Sequence, residues 1–256
     1  MKKIIAENNL INNILEITLI AGKQILDIRR KLNHIDYKLD NTPVTEADIL
    51  ANKIIISKLE EIEKSIRIIS EENTHNQQIT SDELFWLVDP LDGTKEFVNG
   101  SNEFTVNIAL IKNNSPVIGV VHAPALKKTY FTGSDGKAYL KNKSSLPIRI
   151  QTRNYKLNTT NPLVLVSNSH KGQQTDNYLK LNNLTNTKPV GSSLKFCLIA
   201  SGEADIYPRF GRTMEWDTAA GHAIVLAAGG SVKEINKKPL MYGKKNFINP
   251  DFLCCG

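Results

Sequence analysis

The stretch WLVDPLDGTKEFV, Trp86 to Val98, decides how this chain folds. An apolar run from Leu84 to Val88 reads as a buried strand. It breaks off in Asp89-Pro90-Leu91-Asp92-Gly93-Thr94, and a helical alternation begins. A strand ending in a Pro-Gly turn sets its terminal side chains at a sheet edge, where α/β proteins place their sites. Asp89 and Asp92 stand three apart across that turn, so their carboxylates can meet at one point. Two bare carboxylates at close range repel unless a cation sits between them. All-oxygen ligands suit hard ions, Mg²⁺ above all. Pro90 stiffens the turn, and the Leu91 carbonyl becomes a further candidate oxygen ligand. Gly93 and Thr94 open a helix, whose first N–H groups and dipole favour a phosphate. An acidic surface turn that caps a helix would give the same hexapeptide, because Asp-Pro and Asp-Gly are common turn pairs. The six residues alone leave both readings open.

Further acids stand elsewhere in the chain. Glu71 and Glu72 follow a short strand, Ser65 to Ser70. Asp217 begins the helical run Asp217-Thr218-Ala219-Ala220-Gly221-His222-Ala223 after Glu215-Trp216, where an aspartate is also an ordinary N-cap.

Around these anchors the chain divides. A helix from residue 4 to about 30 carries the stripe Ile4, Ile11, Ile14, Leu15, Leu19, Ile25 and Leu26. A second opens at Thr42-Pro43-Val44-Thr45-Glu46-Ala47-Asp48 and runs to about Glu63. Strands follow at 104–111 and 116–121, and a hairpin turns at Ser134-Asp135-Gly136. Beyond residue 150 strand and helix alternate: strands at 163–166, 188–190, 204–207 and 231–235, helices at 173–181, 192–200 and 217–228. The expected fold is α/β with α+β character, in two lobes: a metal-binding α+β lobe over 1–150 and an α/β nucleotide-binding lobe over 151–256, joined through the polar patch 151–161.

Composition narrows the class. Of 256 residues 41% are hydrophobic and 23% charged, as in globular proteins. A net charge of +6 favours anionic partners, but the basic residues are scattered, and nucleic acid is not an expected partner. Cys197, Cys254 and Cys255 have no CxxC spacing and read as reduced thiols, so a cytoplasmic location is expected, with peripheral association at an inner membrane left open. No stretch has the apolar length to span a bilayer. The start is broken by Glu7, Asn8 and Asn9, unlike a secretion signal.

Taken together, DPLDGT, the upstream SEE and the downstream WDTAAGHA resemble the inositol monophosphatase superfamily of Mg²⁺-dependent, lithium-sensitive phosphatases. GTKEF at 93–97, GSSLKF at 191–196 and YPRFG at 207–211 resemble its CysQ-type 3'(2'),5'-bisphosphate nucleotidase branch; inositol phosphatases usually carry GTTNF at the first place. The resemblance extends from TPVTEAD to KPLMYGKKNFINPDF, nearly the whole chain. It implies a layered αβαβα sugar-phosphatase fold. It further implies one Mg²⁺ on Glu71, Asp89 and the Leu91 carbonyl, and a second on Asp89, Asp92 and Asp217. Thr94 and Glu71 then orient and deprotonate the attacking water, and Asp48 supports Thr94 and a weaker third ion. Gly93, Thr94, His170, Ser192, Lys195 and Arg209 join Glu71, Leu91, Asp92 and Asp217 around the substrate, Lys195 and Arg209 taking the second phosphate. Asn168 replaces an arginine of the family segment Ser-Arg-Ser-His, removing one cation.

The implied reaction is hydrolysis of the 3'-phosphate of adenosine 3',5'-bisphosphate to AMP and phosphate, with 3'-phosphoadenylyl sulfate as a second candidate substrate. An inositol or sugar-phosphate phosphatase is the alternative within the superfamily, and a non-catalytic nucleotide or RNA binder the alternative outside it. Glu215 has no assigned role, and His34, His75, His122 and His222 read as surface or packing residues. Oligomeric state is open, a homodimer among the options.

Overall fold

The structure, a computed structural model, describes residues 7–32, 42–73, 79, 83–143, 145–153, 155–156, 160–168 and 172–256. Two helices lead, α1 (Glu7–Leu32) and α2 (Thr42–Ile62). Then come β1 (Arg67–Ser70), a 3₁₀ turn over Glu71–Asn73, β2 (Phe85–Asp92), α3 (Thr94–Val98), β3 (Thr105–Lys112), β4 (Ser115–Ala123), β5 (Lys128–Thr132), β6 (Ala138–Asn142) and β7 (Ile148–Ile150). These seven strands form one sheet in sequence order, antiparallel except for the parallel β1–β2 pair. The second half supplies β8 (Val164–Ser167), α4 (Gln173–Leu181), β9 (Thr187–Val190), α5 (Leu194–Ala200), β10 (Ile206–Arg209), α6 (Glu215–Ala227), β11 (Ser231–Glu234) and β12 (Phe252–Cys255). Its five strands lie in the order β11-β12-β10-β8-β9, with β10-β8-β9 parallel.

The layers follow from which faces are apolar. Along β2 and β3, Trp86, Val88, Val106, Ile108 and Leu110 pack with α1 and α2. The alternate residues Phe85, Leu87, Ala109 and Ile111 face the other way, into a core shared with α5, α6 and the second sheet. Both faces of the large sheet are thus buried, which is why its central strands are continuously hydrophobic. Val164, Val166 and Ile206 on the far side of the small sheet pack with Leu179 of α4. The result is the expected αβαβα stack.

In α6 the run Ala219-Ala220-Gly221-His222-Ala223 is small because the helix is clamped between two sheets. A Cβ on Gly119 of β4 would lie 2.3 Å from the Ala220 carbonyl oxygen, and one on Gly221 would meet the Phe196 ring at 2.6 Å. Larger residues at either place would force the layers apart.

Several boundaries differ from expectation. The buried stripe of α1 is Leu10, Ile11, Ile14, Ile17, Ala21, Ile25 and Ile28. Leu15 and Leu26 are only half-buried against this core, Leu19 is 44% exposed, and Ile4 lies outside the described residues. Strand β2 continues through Asp92 rather than ending at Val88. Pro90 is tolerated there because the pairing with β3 shifts register between Asp89 and Asp92, so the missing N–H falls in an irregular step. Strands β7 and β12 are additional to the expected elements.

Candidate active site

The end of β2 carries the acids, and each is fixed by a different neighbour. The Asp89 carboxylate accepts from the Leu91 N–H at 3.1 Å, a local bond that folds the bulge around Pro90. Asp92 receives the second half of the chain: its Oδ2 accepts the Ser193 N–H at 2.5 Å and the Ser193 hydroxyl at 2.7 Å, with Asn107 Nδ2 at 3.4 Å. Gly93 follows at φ +92, where an added Cβ would stand 3.0 Å from the Glu103 carbonyl and 3.3 Å from Ser192 Cβ. Only glycine fits that close, left-handed turn. It lets α3 start at Thr94 directly beside the Gly191-Ser192-Ser193 turn. Glu103 secures that turn by accepting the Gly191 N–H at 2.8 Å. Helix α6 begins at Glu215, two residues before the expected start, so Asp217 is not its N-cap; from the third position its Oδ2 accepts the Met214 N–H at 2.8 Å and closes the first turn while walling the site.

One cavity of about 990 Å³ gathers these elements. Glu71, Asp89, Leu91, Asp92, Gly93, Thr94, Ser192, Lys195, Arg209 and Asp217 all line it. Asp48 lies behind the wall, 7% exposed, with Oδ1 buried and unpartnered. Its charged neighbours are Glu71 and Glu72, and among the described residues no hydrogen bond joins it to Thr94. His170 lies outside the described residues, while Asn168 is exposed beside the cavity residue Ser167.

Electrostatically the acidic wall is uncompensated. Burial, then the charges of Glu72 and Glu71, pushes the Asp48 carboxyl up to about 8. Burial, then Asp92 and Glu72, pushes Glu71 up to about 7. Burial and Asp92 take Asp217 to about 8, and Asp89 rises well above its ordinary value for the same reasons, burial first and Glu71 next. Asp92 rises too, through burial, with the Ser193 bonds and Lys195 pulling the other way. Such a set favours a divalent cation, which replaces protons as the neutralising charge. Among the described residues no three acidic, His or Cys side chains are already drawn around a single point, so the acids line the cavity without forming a closed coordination sphere. The oxygen-only donor set and the orphaned Asp48 Oδ1 fit Mg²⁺.

Opposite the acids stand two buried cations. Lys195 donates to the Val190 and Ser192 carbonyls at 3.0 and 2.7 Å and lies 5.2 Å from the Tyr207 ring centroid. Burial lowers its ammonium to about 8, against the pull of Asp92. Two carbonyls leave one of its three N–H groups for a ligand. Arg209 donates Nη2 to the Arg212 carbonyl at 3.1 Å, while its buried Nε has no partner among the described residues.

Three supporting residues carried no signal in the sequence. Ser193, Asn107 and Glu103 meet the site only through the fold, and Glu103 and Asn107 sit in or near β3, far in sequence from the turn they brace. Glu215 finds its place: wholly buried, it accepts the Gly243 and Lys244 N–H groups at 2.7 and 2.8 Å and pairs with the Lys244 ammonium at 2.8 Å. It therefore ties the closing loop to the first turn of α6. His122 and His222 are packing residues, bonded to Thr129 and Tyr242; His34 and His75 lie outside the described residues.

The chain is similar over nearly its whole length to known proteins. A curated relative from Salmonella typhimurium, named 3'(2'),5'-bisphosphate nucleotidase CysQ, is 44% identical over 236 residues, 91% of this chain and 94% of the relative. One of the same name from Buchnera aphidicola is 43% identical over 249 residues, 95% and 92% of the two chains. The crystal structure of CysQ from Bacteroides thetaiotaomicron superposes with a TM-score of 0.82 at 34% identity, covering 99% of both chains. Inositol monophosphatase II from Staphylococcus aureus superposes with a TM-score of 0.80 at 21% identity, covering 96% of this chain and 88% of that one, a likeness of fold. The family model for the inositol monophosphatase family matches residues 8–251, and the chain belongs to that family.

Proposed function

We propose that this protein is a Mg²⁺-dependent 3'(2'),5'-bisphosphate nucleotidase, hydrolysing the 3'-phosphate of adenosine 3',5'-bisphosphate to AMP and phosphate. One observation carries the choice of substrate: the acidic wall and the buried cations Lys195 and Arg209 face a single cavity. A substrate with one phosphate on the metals still presents a second dianion, and these two residues meet it. The inositol-phosphatase alternative gives neither buried cation a phosphate to meet.

Glu71, Asp89 and the Leu91 carbonyl hold one ion in this reading, and Asp89, Asp92 and Asp217 a second. When bound, the ions neutralise phosphate charge and increase the acidity of water and the stability of the departing oxygen. Glu71, on the cavity wall, accepts the proton of the attacking water. Thr94 orients that water. Asp48, whose carboxyl is raised by burial and then by Glu72 and Glu71, serves a weaker third ion in its deprotonated form. Lys195 spends its remaining N–H, and Arg209 its Nε, on the 5'-phosphate, beside the Ser192 hydroxyl. Asp48, Glu71, Asp89 and Asp92 come from 1–150, while 151–256 supplies Asp217 and the phosphate-binding cations, so a division of the chain near residue 150 runs through the cavity.

Purified protein with Mg²⁺ and a panel of adenosine 3',5'-bisphosphate, 3'-phosphoadenylyl sulfate and inositol 1-phosphate tests the reading through released phosphate. The bisphosphate is expected to turn over fastest, with inhibition by lithium. Equal or faster release from inositol 1-phosphate overturns it.

A further inference from the structure

A second concavity lies outside the catalytic cavity, between α1 and the turns at the ends of β4, β5 and β6. It encloses about 460 Å³ and includes Lys23, Arg30, Lys127, Lys141 and Lys143. One acid, Asp27, shares it, and Arg30 holds that acid at 3.2 Å. Among the described residues none of the four lysine ammonium groups has an acidic partner, so four positive charges face one groove.

The groove is built on rigid ground. Lys127 and Lys143 sit at φ +54 and +47, left-handed positions where glycine or asparagine is the easier choice. The Lys143 N–H donates to the Lys127 carbonyl at 2.8 Å, locking the two turns side by side. The floor comprises His122, Pro124 and Thr129, with His122 Nδ1 bonded to the Thr129 hydroxyl at 2.8 Å. Helix α1 presses onto this floor so closely that a Cβ on Gly22 would lie 2.7 Å from the His122 ring. Burial holds His122 down near 4, so the imidazole is neutral at pH 7 and the charge comes from the lysine rim.

We propose that this groove is a second anion site, taking a small soluble molecule that carries two or more phosphate groups. Four like charges held together repel, and a multivalent anion relieves that repulsion where a monoanion cannot. Lysine ammonium groups are compact point charges suited to phosphate oxygens. The volume matches small-ligand sites. Because the rim is solvent-exposed, binding weakens as salt is added.

Inorganic tripolyphosphate is the probe, added to the full-length protein in low-salt, Mg²⁺-free buffer and followed by amide NMR shifts. Saturable shifts at Lys23, Lys127, Thr129 and Lys143 are expected, and a Lys23→Glu/Lys143→Glu double variant should weaken binding about tenfold or more while phosphate release from the bisphosphate is retained. The distant control Lys238→Glu should leave binding within about twofold. Shifts confined to Gly93, Thr94 and Ser192, or no saturation, overturn the proposal. So does equal weakening by Lys238→Glu. Binding to vesicles of anionic phospholipid without binding to tripolyphosphate assigns the groove to a lipid surface and likewise overturns it.

Discussion

Ser193 holds Asp92 across 101 residues of chain, giving both its N–H, at 2.5 Å, and its hydroxyl, at 2.7 Å, to one carboxylate oxygen. The same hydroxyl oxygen also lies 2.7 Å from the Asp217 carbonyl, so its one proton is shared between the two acceptors. One small side chain therefore joins the strand that carries the proposed metal ligands Asp89, Leu91 and Asp92 to the helix that carries Asp217.

Ser193→Ala should keep the backbone bond and lose the hydroxyl bonds. A hydrogen bond to a charged group is worth about 1.5–3 kcal/mol. With the Asp92 carboxylate held by the backbone bond and Asn107 but no longer by the serine hydroxyl, kcat/KM on the bisphosphate is expected to fall roughly 10- to 100-fold, with secondary structure by circular dichroism unchanged. Full activity in the alanine variant would show that Asp92 needs no such brace.

Metal binding should release protons. Asp48, Glu71 and Asp217 are raised to about 8, 7 and 8, and Asp89 and Asp92 are raised too. Folded-state values above the unfolded ones mean the folded, metal-free protein binds more protons, so these groups stabilise it at low pH and their contribution is lost as pH rises through about 7–8. Mg²⁺ selects the deprotonated carboxylates and reverses that trend. Titration calorimetry at pH 7 in buffers of different ionisation enthalpy is expected to show net proton release on adding Mg²⁺. Thermal melts should show a stabilisation by Mg²⁺ that grows from pH 6 to pH 8. No proton release would mean that the acidic wall is not where the ions bind.

Glu215 is expected to matter for stability more than for chemistry. Its carboxylate is wholly buried and satisfied by two backbone N–H groups and one ammonium. Glu215→Gln removes the charge and turns an N–H₂ towards a donor, leaving the Lys244 ammonium with the Met241 carbonyl and the Tyr242 ring but no anion. Disrupting one side of a buried ion pair costs about 3–5 kcal/mol, which corresponds to a Tm roughly 5–15 °C lower. Lys244→Met keeps both amide bonds but leaves the wholly buried carboxylate without its cation, so it too should lower Tm. An unchanged Tm for both variants in differential scanning calorimetry would refute the clamp.

Sequence patterns carried the layered fold because both faces of the large sheet are buried and the helices between the sheets are small-residue or amphipathic. Helix α4 falls on the residues its periodicity marks, 173–181. Strand β2 ran longer than the pattern, since Asp-Pro reads as a turn unless a register shift takes up the proline. Strand β12 was not legible: Phe252-Leu253-Cys254-Cys255 is four residues after Pro250, and its strand state depends on lying between β10 and β11. In the site, the acids were visible through their turns, while Ser193, Asn107 and Glu103 were not. Their roles are tertiary, and no local spacing encodes a bond across a hundred residues.

Arg209 offers the cleanest separation of substrate recognition from catalysis. Lys195 is a poor choice, because two backbone carbonyls depend on its ammonium and would be left unsatisfied in its absence. Arg209 has one carbonyl partner, and its Nε lies buried and unpaired among the described residues. Arg209→Met keeps much of the stem's packing and removes the charge. Loss of a buried charged partner to a phosphate costs about 2–5 kcal/mol, so kcat/KM for adenosine 3',5'-bisphosphate should fall roughly 30-fold or more. Adenosine 3'-monophosphate has no 5'-phosphate to lose, and its kcat/KM should change only about twofold to threefold. An equal fall on both substrates would place Arg209 with the reacting phosphate or the scaffold, and the assignment of the second phosphate to this wall of the cavity would fail.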